Sequence, residues 1–171
     1  STKGFGLGLN IAKELAWLNL GKLTIQSQEG RGSVFSFTLP TFDSSAIINR
    51  YTQMLGEEGS DNSMAALRVT VRSQSIDMEQ FQGRLAATCH PMDLLLPSKD
   101  PRSLIAIRMT AEPDQWASQL RSALSSTWKE IRDAPLDQIK IDLLASGKPT
   151  DVRRTVTDRL ASGIEETKVN A

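Results

Sequence analysis

The chain holds one cysteine, one histidine and no net charge, and each scarcity closes a route. Cys89 alone cannot build an internal disulfide framework, and it fits a reducing compartment, with the cytoplasm as the default expectation. Only His90 stands beside it, so the partners that a structural metal site requires are missing. Twenty Lys plus Arg balance twenty Asp plus Glu. No overall field therefore draws the chain to nucleic acid or to an anionic membrane, and nucleic acid is not an expected partner. No apolar run approaches the roughly 20 residues that cross a bilayer, and nothing near Ser1 has the charged start and apolar stretch of a secretory signal. Any membrane anchor is expected outside this chain. What is present is a chain of 171 residues, 39% hydrophobic, enough for one ordinary core or two small ones.

The opening residues read as a loop, because Gly4, Gly6 and Gly8 recur at every second position and glycine disfavours helix and strand interiors. From Leu7 the apolar residues Leu7, Ile11, Leu15 and Leu18 recur at helical spacing, with Asn10, Lys13 and Glu14 on the other side, and the helix is expected to end near Gly21. Lys22 to Ser27 alternates as a strand, Gly30 and Gly32 supply a turn, and a second strand follows with Phe35, Phe37 and Leu39 on one face before Pro40. Leu23, Ile25, Phe35, Phe37 and the apolar helix face are expected to be core, since alternating apolar residues are what a half-buried sheet requires.

Residues 41 to 55 carry a short connecting helix, and the polar stretch Gly56 to Ser63 marks the linker. Beyond it the expected order is a strand over Leu67 to Arg72, a helix over Asp77 to Thr88, a strand over Met92 to Leu96 and another over Ser103 to Thr110. A helix from Pro113 to about Arg132 and a strand from Gln138 to Leu144 complete it. This fold class is α/β (α+β), and the order strand, helix, strand, strand, helix, strand suits a ferredoxin-like sandwich. The domain reading is 1–40, a connecting helix and linker over 41–66, an α/β regulatory or interaction domain over 67–145, and a C-terminal helix and tail over 146–171.

A glycine-rich loop that opens a helix favours an anion. Unpaired N–H groups at the helix start carry the positive end of its dipole, and glycines let a phosphate approach the backbone. No Gly-Lys-Ser or Gly-Lys-Thr follows, so this is not a Walker A loop. No strand precedes it and the glycine spacing differs from a dinucleotide fingerprint.

The continuation resembles the C-terminal part of the histidine kinase ATPase domain, a superfamily shared with gyrase. That family's glycine box reads Gly-x-Gly-Leu-Gly-Leu, followed by a helix, a glycine, a strand and Ser-x-x-Gly-x-Gly-Ser-x-Phe-x-Phe-x-Leu-Pro. Here stand Gly4 to Leu9, then Ile11, Lys13 and Leu15, then Gly21, then Ser27, Gly30, Gly32, Ser33, Phe35, Phe37, Leu39 and Pro40. The family's usual His-Gly-Gly at the helix end is replaced by Asn19, Leu20 and Gly21, read as variation in the C-cap.

The resemblance implies that Gly4, Gly6, Leu7 and Gly8 line the phosphate side of an ATP site. It also implies that the magnesium ligand, the adenine contact and most of the sheet lie upstream, because no Asp-x-Gly-x-Gly occurs in this chain. It further implies a parent sensor kinase of a two-component system, a homodimer that passes phosphate to a response regulator, with this fragment alone inactive. The rival expectation is a non-enzymatic, degenerate ATPase remnant carrying a protein-interaction module. Lys13 is read as solvated. His90, followed by Pro91 and lying after the ATPase motif, is read as structural or exposed and not as a phosphoacceptor.

Overall fold

The structure, a computed structural model, describes residues 7–41, 43–56, 63–128 and 138–162. Residues 7–40 give a helix and a hairpin: α1 (Leu7–Leu18), β1 (Lys22–Gln28) and β2 (Gly32–Thr38). The strands pair antiparallel from Lys22 opposite Thr38 to Gln28 opposite Gly32. Their connection runs through Gly30 at φ 72° and Gly32 at φ 92°, backbone angles at which a side chain is strained.

The end of α1 differs from the expected glycine cap. Gly21 N–H donates to Ala16 O at 2.7 Å and Leu20 N–H to Trp17 O at 2.9 Å, the paired bonds of a Schellman motif. The left-handed position of that motif falls on Leu20, at φ 57°, and not on glycine. Gly21 is needed for another reason: a Cβ there would sit 2.4 Å from the Thr38 carbonyl oxygen and 3.0 Å from that of Ala16. The helix end thus lies directly against β2.

The helix expected as a connector, α2 (Ser44–Gly56), is part of a packed core. After it come β3 (Met64–Val71), α3 (Met78–Thr88), β4 (Leu94–Pro97), β5 (Ser103–Met109), α4 (Pro113–Trp128), β6 (Ile139–Gly147) and α5 (Pro149–Ser162). Asp77 caps α3, its side chain accepting from Gln80 N–H at 2.8 Å, which satisfies one of the unpaired donors of the first turn. The sheet order is β4-β5-β3-β6, every neighbouring pair antiparallel, with β3 between β5 and β6. This is the ferredoxin-like arrangement.

Successive side chains of a strand point to opposite faces, and here both faces are buried. Ala65, Leu67, Val69, Leu104 and Ala106 join Phe81 and Leu85 of α3 and Trp116, Leu120 and Leu124 of α4 in one core. Met64, Ala66, Ile105 and Ile107 join Ile48 and Tyr51 of α2 and Val152 and Val156 of α5 in the other. The result is three layers: α3 and α4, the sheet, then α2 and α5. A register shift between Ala66 and Leu67 pairs them with Ala145 and Leu143, leaving Leu144 as the extra residue of a bulge in β6. The bulge brings Ala145 beside Leu144 on the α2 and α5 side, while Leu143, opposite Leu67 and on the face of Ile139 and Ile141, is exposed on the edge strand.

One expectation is overturned within this chain. Leu15, Ile25, Phe35 and Phe37 are exposed, Phe35 by 61%, and Leu23 is half-buried. A two-stranded hairpin and one helix present more apolar surface than they can cover between them. Among the described residues, every exposed large hydrophobic except Leu143 lies between Leu7 and Leu39. Gly56 closes α2, residues 57–62 of the expected linker lie outside the described residues, and so do residues 129–137 beyond α4.

Candidate functional site

Of the residues that the glycine box singles out, Gly4 and Gly6 lie outside the described residues, while Leu7 and Gly8 form the start of α1 and are exposed. That first turn holds no acidic side chain, so nothing there opposes an anion at the positive end of the helix. Gly8 is helical, and a Cβ built on it meets nothing within 4 Å. Its lack of a side chain is therefore not explained by packing against the described residues or by a positive φ. It leaves the backbone open to approach from outside, which is the feature a phosphate cradle uses. Lys13, about two turns into the helix, is exposed as expected.

The other chemistry-bearing residues gather elsewhere, around the segment between α3 and β4. Asp93 is nearly buried, with 3% of its side chain exposed, and Arg108 holds it through two bonds, Nε to Oδ1 at 2.8 Å and Nη2 to Oδ2 at 2.6 Å. This fork is the strong, geometrically specific form of an ion pair. Asp93 Oδ2 also accepts the His90 backbone N–H at 2.8 Å, and the Arg108 guanidinium lies 5.1 Å from the centre of the Trp116 ring. Tyr51 donates its hydroxyl proton to the Met92 carbonyl at 2.9 Å.

These contacts fix protonation states. Burial pushes the Tyr51 hydroxyl well above its ordinary range, with the Asp93 charge adding to the shift and Arg108 opposing it. Burial likewise pushes the Cys89 thiol up to about 11, again with Asp93 adding and Arg108 opposing. The hydrogen bond to Asp93 raises Arg108 further, so the guanidinium stays charged. A thiol held protonated is a poor nucleophile, and the cluster is a structural tie between α2, β5 and the α3–β4 segment.

His90 is exposed at the end of α3, its Nδ1 accepting from Met92 N–H at 3.2 Å, which fits the structural reading. Among the described residues no group of three or more His, Cys, Asp or Glu could hold a metal ion, and no helix is long and apolar enough to cross a membrane. Asp93 and Arg108 lie 15 positions apart in the chain, and no local spacing links them, so sequence reasoning passes them by.

Comparison with known proteins gives a short likeness. Over 42 residues, 25% of this chain, it is 43% identical to the adaptive-response sensory kinase SasA of Prochlorococcus marinus, covering 11% of that protein. Over 40 residues, 23% of this chain, it is 38% identical to the adaptive-response sensory kinase SasA of Thermosynechococcus vestitus, covering 10% of it. The chain thus spans about a tenth of the length of these curated relatives. No family model and no solved structure matches it.

Proposed function

We propose that residues 4–40 form the phosphate-facing wall of an ATP site, with part of the sheet behind it, in a sensor histidine kinase. The observation that carries the reading is the 43% identity to a sensory kinase over 42 residues. The glycine-box spacing and the open first turn of α1 agree with it. ATP with its magnesium ion, when bound, supplies the phosphoryl group, while this chain's share is to place and neutralise phosphate oxygens. The N–H groups of the first turn, beginning at Leu7 and Gly8, would hold those oxygens, since phosphoryl transfer depends chiefly on placement and electrostatics. Magnesium ligands are assigned to a part of the parent protein outside this chain, as is the acceptor histidine.

On this reading the exposed apolar face of α1, β1 and β2 packs against the remaining strands and helices of the ATPase domain. The parent acts as a homodimer in a phosphorelay to a response regulator. The α/β sandwich serves as its regulatory or interaction module. The test is nucleotide affinity in the complete protein. Gly6→Val and Gly8→Val should each weaken ATP binding at least tenfold, because a branched side chain blocks close approach to the backbone. Gly8→Val should leave the melting of the present chain nearly unchanged, since its Cβ faces open space. Unaltered affinity would sink the assignment, and a wild-type parent that binds no ATP would favour the non-enzymatic remnant.

A further inference from the structure

A half-open cavity of about 260 Å³ lies where the end of α1 meets α2 and the segment between α3 and β4. Ring-bearing residues line it, Trp17 from α1, Pro40 from beyond β2, Tyr51 from α2 and Pro91 from the α3–β4 segment, with the pliable side chains of Met54 and Met92 completing the wall. Small-molecule sites are apolar concavities that favour the junctions between structural units. This cavity sits at such a junction, between the helix and hairpin and the three-layered sandwich.

The chemistry of the wall narrows what it can take. The one carboxylate on it, Asp93, is already engaged by the Arg108 fork and the His90 N–H. The Tyr51 hydroxyl proton is already given to the Met92 carbonyl. A charge seated against this wall would lose its hydration without a free counter-ion, at a large cost. An uncharged guest avoids that cost. Aromatic side chains such as Trp17 and Tyr51 on the wall favour an aromatic guest. A cavity of about 150 Å³ accommodates benzene, so a volume of about 260 Å³ suits a guest of two fused rings.

We infer that this cavity is a binding site for a small, uncharged, two-ring aromatic molecule. It shares no residue with the glycine box and does not rest on the nucleotide reading. Leu20, whose left-handed backbone places it at the same junction, also lines the cavity, so a guest touches the helix whose opposite end carries the glycine box.

The experiment labels the methionine methyl groups of this chain and titrates it with 1-naphthol, uncharged near neutral pH. The Met54 and Met92 methyl signals should shift and saturate, while Met78, packed on the opposite face of the sheet, stays in place. Naphthalene-1-sulfonate, the charged counterpart, should bind at least tenfold more weakly. Ile47→Trp, which fills the cavity from α2, should weaken 1-naphthol at least tenfold. The inference is overturned by the absence of a saturable shift at Met54 and Met92, by equal binding of the sulfonate, or by unchanged affinity in a folded Ile47→Trp. If that variant does not fold, the comparison of the two compounds on the native chain decides.

Discussion

At the scale of single residues, the junction between α1 and β2 turns on Leu20 and Gly21. Leu20 takes a left-handed conformation that costs a non-glycine residue roughly 1–2 kcal/mol, and its side chain packs against the core formed by α2, α5 and the sheet. Its carbonyl accepts from Arg50 Nε at 3.2 Å. The departure from the family's glycine pair is thereby given a role, since a glycine would relieve the backbone and give up the anchor. Gly21→Ala drives a methyl group into the Thr38 carbonyl and should destabilise the packing of α1 on the hairpin by about 1–3 kcal/mol. Faster amide exchange in β2, with the sandwich unaffected, is the expected signature, and native protection would refute it. Cys89 sets a pH limit. Its thiol stays protonated up to about 11 in the folded chain but ionises above about 9 when unfolded. The stabilisation is therefore complete below pH 9 and is lost as pH climbs through 11, with the unfolded state the first to release its proton. Melting at pH 10.5 should fall further below its pH 8 value in the wild type than in Cys89→Ala, and an equal fall would contradict the assignment.

At the scale of elements, the sequence was informative wherever periodicity is local. The spacing of Leu7, Ile11, Leu15 and Leu18 gives α1, and the alternation in Lys22 to Ser27 gives β1. It was silent where partners are distant. Nothing in the pattern of Ile47, Ile48 and Tyr51 says that α2 covers a sheet face formed by residues well beyond it. The bulge at Leu144 cannot be seen in an unbroken run of alternating residues. The Asp93–Arg108 fork is hidden for the same reason. For the candidate site the spacing of Gly4, Gly6 and Gly8 was legible, and the structure adds the exposure and open approach at Leu7 and Gly8. The hairpin carries its own prediction. Phe35 and Phe37 are more than half exposed, and a contiguous apolar surface of this kind drives association. Phe35→Thr with Phe37→Thr should shift the isolated chain towards monomer in sedimentation while leaving its melting within about 1 kcal/mol of wild type, because exposed substitutions cost little. Strong destabilisation would show that the face is covered within the chain.

At the scale of the whole molecule, the sandwich has no bare sheet face: α3 and α4 close one side, α2 and α5 the other. Contacts with other molecules are left to its loops, its edge strands β4 and β6, and the junction with α1. Residues 7–40 have the opposite character, with apolar residues turned outward from both the helix and the hairpin. The two parts therefore have different fates when separated from their surroundings. The sandwich would persist as an inert body, whereas the helix and hairpin present the kind of surface by which chaperones and proteases recognise unfinished or damaged proteins. Synthesis of this chain with that surface uncovered would then be self-limiting in a cell, its abundance set by how quickly the surface is covered.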